Sequence, residues 1–228
     1  MSLVLHFSRG SSATIPHAVI EEAGLPYSLK ELQSSIRTEL GSPRANFHTS
    51  TRIPALEDDR VVVFETDAII LHLLSKPEAS FLMPRYGSAD GAKFLQWLCY
   101  LSSSPRAAIL EHTYPERWCR DGYAQSEIRE NAARKLASHC DLLDANVSDG
   151  SFLNWGFTAL DIYLTELARW SSDFELPMWK WRRLEQVIEA TRHRPSYERM
   201  LEMQGLDWPT DVKVESEPNW QDKIIKHW

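Results

Sequence analysis

The chain has 228 residues, 43% of them apolar and 25% charged, with a formal charge of −7; this describes a globular protein with length for one large domain or two small ones. No basic stripe stands out, which argues against a nucleic-acid partner, and no apolar run approaches the ~18 residues of a membrane span. The opening MSLVLHFSRG lacks a charged region followed by a long apolar one, so a cytoplasmic location is expected.

Residues 3–7, LVLHF, read as a short buried strand. A loop follows with Ser8, Arg9, Gly10, Ser11 and Ser12. Ala13 to Ala23 reads as a helix stopped by Gly24 and Pro26. Residues 27–33 can form a second strand, and 41–52 is polar and loop-like. In IPALEDDRVVVF, 53–64, two apolar runs flank Glu57-Asp58-Asp59-Arg60, the pattern of a hairpin with a tight acidic turn. Thr66 to Leu74 is helical in pattern, and 76–90 is rich in Pro, Ser and Gly, like a linker.

Beyond that point only helical periodicity persists. Phe94, Trp97, Leu98 and Leu101 share one face, as do Ile128, Ala132, Leu136, Cys140 and Leu143. Further helices are expected near 158–170, 179–192 and 195–203. Thr158 and Asp161 form an S/T-x-x-D capping box, with Phe157 and Ile162 spaced for a hydrophobic staple; its role is in folding. Cys99, Cys119 and Cys140 are odd in number and widely spaced, against a disulfide framework, a zinc site or a dithiol redox motif. No metal site is expected. The scattered Asp and Glu residues show no paired-carboxylate spacing and read as solvated faces. The tryptophans, concentrated in the second half, suggest aromatic packing surfaces or an aromatic-lined cleft. An α/β half thus precedes an all-α half.

Ile53-Pro54-Ala55-Leu56 followed by Phe64-Glu65-Thr66-Asp67-Ala68-Ile69 resembles the glutathione-site signature of the glutathione S-transferase family. PHAVIEEAGLPY, 16–27, resembles the first helix of bacterial members; Phe157-Thr158-Ala159-Leu160-Asp161 and Arg194-Pro195 match later family landmarks in the same order. The resemblance implies a thioredoxin-like domain with a mixed four-stranded sheet (1–78), a linker (79–87), an all-helical bundle domain (88–206) and a C-terminal tail (207–228).

It also implies a function: glutathione as co-substrate, its thiolate attacking a small electrophile, in a homodimer. Pro54 would be cis, and the backbone of Ile53 would pair with the cysteinyl unit. Thr66, where a helix N-cap belongs, would receive the γ-glutamyl carboxylate, and Glu65 the α-ammonium. Arg52 could reach the glycyl carboxylate. A free thiol is mostly protonated at neutral pH, so a donor must favour the thiolate. Ser8, Ser11 and Ser12 qualify by position, Ser12 and Ser11 foremost. Alignment with the beta class places Ser12 where that class carries cysteine, so serine activation in a beta/theta-like, serine-type protein is expected. His17 reads as structural. Tyr100, Ser104, Arg106 and Tyr114, with Trp97 and Trp118, fall where the family builds its second-substrate cleft. A glutathione-dependent isomerase, dehalogenase or ether-cleaving enzyme, or a non-catalytic binding protein on this fold, are the alternatives.

Overall fold

A computed structural model describes residues 3–32, 53–59, 61–148 and 150–209. Strand β1 (Leu3–Phe7) pairs in parallel with β2 (Tyr27–Glu31) and antiparallel with β3 (Ala55–Asp58), and β3 pairs antiparallel with β4 (Val61–Phe64). The sheet order is β2-β1-β3-β4, a mixed four-stranded sheet. The expected acidic turn closes the hairpin, with Asp59 at φ 51°, a left-handed conformation that aspartate tolerates better than most residues.

Helix α1 (Thr14–Glu22) joins β1 to β2, and α2 (Thr66–Leu74) follows β4. Gly24, at φ 62°, ends α1. Its N–H donates to the Glu21 carbonyl, and the Leu25 N–H donates to that of Ile20. This double closure requires a left-handed residue after the helix, which glycine adopts freely. The segment after α2 is more than a linker. Pro77–Leu82 forms a 3-10 helix that buries Ala79 and Leu82 completely, because at three residues per turn positions i and i+3 share one face.

The rest is helical: α3 (Ala89–Ser103), α4 (Pro105–Thr113), α5 (Gly122–Ala145), α6 (Ala159–Trp170), α7 (Arg182–Arg192) and α8 (Pro195–Gln204). A two-stranded hairpin, β5 (Val147–Ser148) with β6 (Ser151–Phe152), interrupts it. The expected apolar faces are the buried ones: Phe94, Trp97, Leu98 and Leu101 on α3, and Ala132, Leu136, Cys140 and Leu143 on α5. No helix among the described residues is long and apolar enough to cross a membrane.

Two helices carry the architecture. In α1 every residue from Thr14 to Ile20 is buried, and in α6 every residue from Ala159 to Ala168. A helix buried on all sides must be packed on all sides. Helix α1 lies between α2 and the helices α6 and α8, so it is the seam between the sheet half and the helical half. One apolar core runs through both.

The acidic residues do not all form solvated faces. Glu166 lies in that fully buried stretch of α6, is itself inaccessible, and is paired to Arg169 through two hydrogen bonds, Nε to Oε1 at 3.0 Å and Nη2 to Oε2 at 2.9 Å. Spacing on one helix could not reveal this, because the partners that enclose Glu166 come from α1 and α8.

Candidate functional site

The site lies where three chain segments meet: the β1–α1 loop, the start of β3 and the start of α2. The Ile53–Pro54 peptide is cis, as the resemblance requires. Pro54 is buried and Ile53 half-buried. Arg52, expected at the glycyl carboxylate, lies outside the described residues.

At the start of α2 the structure refines one expectation. Thr66 is the first helical residue, and Glu65 holds the N-cap position at φ 70°, ψ 130°, without a side-chain cap. The positive φ turns the chain abruptly from β4, and hydrogen bonding begins with the Glu65 carbonyl, which accepts from the Ile69 N–H at 3.0 Å. The N–H groups of Thr66, Asp67 and Ala68 therefore have no helical acceptor. The Thr66 side chain is buried here and the Glu65 side chain exposed. With the helix dipole, this end favours an anion.

Beneath that end sits a polar floor from both halves of the chain. Asp67 Oδ1, Arg106 Nε and the Tyr163 hydroxyl are all buried and make no well-aligned hydrogen bond among the described residues, with the Asp67 carboxyl in reach of the Tyr163 and Ser102 hydroxyls. They interact through charge. Burial raises the Asp67 carboxyl above the usual range, and Arg106 opposes the rise. Burial also raises the Tyr163 phenol well above its ordinary value, reinforced by the Asp67 charge. Buried polar groups are almost always paired, and here the Asp67 carboxyl is the shared partner of Tyr163 and Ser102 at the helix start.

The serine loop is held by successive turns. The Ser8 carbonyl accepts from the Ser11 N–H, and the Ser11 carbonyl from the Thr14 N–H, each at 3.1 Å. The Ser11 hydroxyl accepts from the Ala13 N–H at 3.4 Å, a weak bond that turns its oxygen toward the helix start. The half-buried Ser12 hydroxyl has no hydrogen-bond partner among the described residues. Gly10 sits at φ +66°, and a side chain there would meet Leu206 Cδ2 at 3.7 Å. The turn after α8 therefore lies against this loop.

His17 is fully buried in α1. Its Nε2 lies 2.7 Å from the Tyr27 hydroxyl, and its Nδ1 accepts from Gln204 Nε2 at 3.0 Å. Burial lowers its pKa to about 4. A neutral ring with both nitrogens engaged is structural, as the sequence suggests.

The four residues expected at the second-substrate cleft each have their own surroundings. Arg106 faces α2, as above. Tyr100 turns to α5, where its hydroxyl meets His139 Nδ1 at 2.7 Å, and its ring stands edge-on to Trp97. Ser104 is the half-buried residue between α3 and α4. Tyr114 ends α4 with the Arg117 guanidinium 4.0 Å above its ring. An open cavity of about 580 Å³ lies elsewhere, lined by Arg169, Ser172, Asp207, Trp208 and Pro209. It adjoins the segment that touches Gly10, and His112 of α4 stacks on Phe174, two residues beyond Ser172, at 3.8 Å. Trp208 and Arg169 carried no motif.

Comparison with known proteins agrees with this fold. Residues 1–75 match the glutathione S-transferase N-terminal domain family. A glutathione transferase homologue from Sulfitobacter, solved with bound glutathione, is 20% identical over 90% of this chain and 99% of its own, with a TM-score of 0.77. The beta-class glutathione S-transferase of Sphingomonas chungbukensis is 24% identical over 90% of this chain and 100% of its own, with a TM-score of 0.75. A sphingomonad glutathione S-transferase solved with glutathione is also 24% identical, over 90% of this chain and 100% of its own, at a TM-score of 0.74. Residues 1–75 thus match the glutathione S-transferase N-terminal domain, and the chain as a whole shares the fold of solved glutathione transferases.

Proposed function

We propose that the protein is a serine-type glutathione transferase. Glutathione lies along the sheet domain, with its γ-glutamyl carboxylate at the free N–H groups and hydroxyl of Thr66. Glu65 meets its α-ammonium, and the backbone of Ile53 pairs with its cysteinyl unit. Arg106 sits close enough to Asp67 to add positive charge at the same end. The observation that carries this reading is the open start of α2, where the first N–H groups have no helical acceptor, at the place where the glutathione-site signature stands.

Ser12 is the favoured thiol partner. Its hydroxyl has no hydrogen-bond partner among the described residues, whereas the Ser11 oxygen is turned toward the helix start by the Ala13 N–H, although its own O–H remains a donor. Donation from Ser12 to the sulfur favours the thiolate. The thiolate then attacks an electrophilic carbon, the new C–S bond forms, and the leaving group departs with the electron pair. We place the electrophile in the cavity beside Trp208, between the serine loop and the end of α4, with Tyr114 and Ser104 nearer the α3–α4 side. A homodimer fits the exposed Val61 and Phe64 of the edge strand β4.

Calorimetric titration with glutathione tests this. The wild type is expected to bind. Thr66→Ala should weaken binding roughly tenfold, the value of one hydrogen bond to a charged group. Ser12→Ala should bind normally and lose thiolate. No wild-type binding at millimolar glutathione would sink the reading and leave a non-catalytic protein on this fold.

A further inference from the structure

Helix α1 begins without a cap of its own. Its N-cap is Ala13, and no side chain accepts from the first turn. Thr14, the first helical residue, is fully buried, and its hydroxyl lies 2.5 Å from Glu166 Oε2 on α6 and 3.0 Å from the Ser11 carbonyl. One proton serves one acceptor. The Ser11 carbonyl already holds the Thr14 N–H, so the hydroxyl donates to the nearer, charged Glu166. The other carboxylate oxygen accepts from the Tyr197 hydroxyl of α8.

Glu166 and Arg169 already form a bidentate pair within α6. A carboxylate buried this deeply gains little net stability over an apolar residue of the same size, because desolvation offsets attraction. The pair therefore calls for a reason beyond stability. Its reach supplies one: Glu166 is bonded to the residue two positions after Ser12. The intervening backbone is tight, with turns closing Ser8 to Ser11 and Ser11 to Thr14. A displacement of Thr14 is thus carried directly into the serine loop.

We propose that Glu166 is a positioning residue: through Thr14 it fixes the β1–α1 loop against the helical domain and so sets the distance from Ser12 to the glutathione sulfur. This rests on the glutathione transferase reading above. A donor to the sulfur acts only at hydrogen-bond distance, and small misplacements at such a contact are costly in rate. The helical domain then does more than hold the second substrate. It holds the activating group as well.

The test compares two single hydrogen-bond deletions on the same carboxylate. Thr14→Val removes the donor from α1, and Tyr197→Phe the donor from α8. For each protein, glutathione affinity is measured by calorimetry, the thiol pKa of bound glutathione by ultraviolet thiolate absorbance against pH, and stability by denaturation. Both variants should lose similar stability. Thr14→Val should bind glutathione normally, since the α2 contacts are untouched, yet raise the bound thiol pKa by about one pH unit, roughly a tenfold loss of thiolate at fixed pH. Thr14→Ser should restore the wild-type value, and Tyr197→Phe should keep it. If Thr14→Val does not fold, Thr14→Ala takes its place. An unmoved thiol pKa in the Thr14 variant, or an equal shift in Tyr197→Phe, overturns the positioning role. A wild type that binds no glutathione overturns the functional reading first, before any variant is made, and the positioning role with it.

Discussion

Helix α6 carries two buried carboxylates five residues apart, and they do opposite things. Asp161 faces its own helix start. It accepts from the Thr158 N–H at 2.7 Å, the Thr158 hydroxyl at 2.9 Å and the Phe152 N–H at 2.6 Å. Burial dominates and pushes its pKa up to about 6. Glu166 faces outward from α6, to α1 and α8. Burial raises its pKa too, but the Arg169 charge and the donors from Arg169, Thr14 and Tyr197 outweigh it, and the net shift is downward. The difference is the guanidinium. Three neutral donors organise a helix end within one domain, whereas a full charge pair can anchor a junction between two.

The largest expected effect follows from that charge pair. Glu166→Ala leaves Arg169, with a side chain only 10% exposed, without its counter-ion. Breaking a buried pair by removing one partner typically destabilises by about 3–5 kcal/mol. Urea denaturation of the variant against wild type measures it. A loss below about 1 kcal/mol would mean that the seam does not depend on the charge, and the contrast with Asp161 would fail.

A second test uses pH on the same seam. His17 is kept neutral by burial, with its pKa lowered to about 4 from 6.5. A group whose folded pKa is depressed contributes stability above the unfolded pKa, and the contribution is lost as pH falls toward the folded one. Between pH 7 and pH 5 the wild type should lose on the order of 2 kcal/mol through His17 alone. His17→Asn should remove that share of the pH dependence. Asp161 has the opposite sign. Its folded pKa is raised, so its contribution grows as pH falls through about 6. Wild type should therefore gain about 1 kcal/mol relative to Asp161→Asn over the same window. Denaturation of the three proteins at both pH values separates the two groups. Parallel trends would contradict the environments described here.

These contrasts also show what the sequence could disclose. The sheet domain was readable because its signals are local: two apolar runs around an acidic turn in 53–64, a stop at Gly24, and a proline and a Glu-Thr pair at fixed spacing. The stripes on α3 and α5 were readable for the same reason. The position of the glutathione-binding signature came with them. The polar seam did not. Glu166 meets Thr14 from 152 positions away, and a glutamate inside a helix reads as a solvated face until the packing of α1 and α8 against α6 is known. The floor beneath α2 was hidden likewise, since Asp67, Arg106 and Tyr163 come from three separate helices. The bounds of α2 were readable, but its N-cap was placed one residue late, because nothing local signals the positive φ at Glu65.

The smallest effect is expected at the other carboxylate's partner. Thr158 caps α6, its hydroxyl accepting from the Leu160 N–H at 3.2 Å while Asp161 accepts from the Thr158 N–H. Thr158→Ala removes one buried cap and should cost about 1 kcal/mol. Asp161 keeps its backbone donors from Thr158 and Phe152, so the helix start survives. The seam is untouched, because Thr14, Tyr197 and Arg169 all engage Glu166, farther along α6. Denaturation should show the loss, and calorimetry should show unchanged glutathione affinity and an unchanged bound thiol pKa. If this distant cap also moved the thiol pKa, stability alone would govern the serine loop, and the division of labour between Asp161 and Glu166 would collapse.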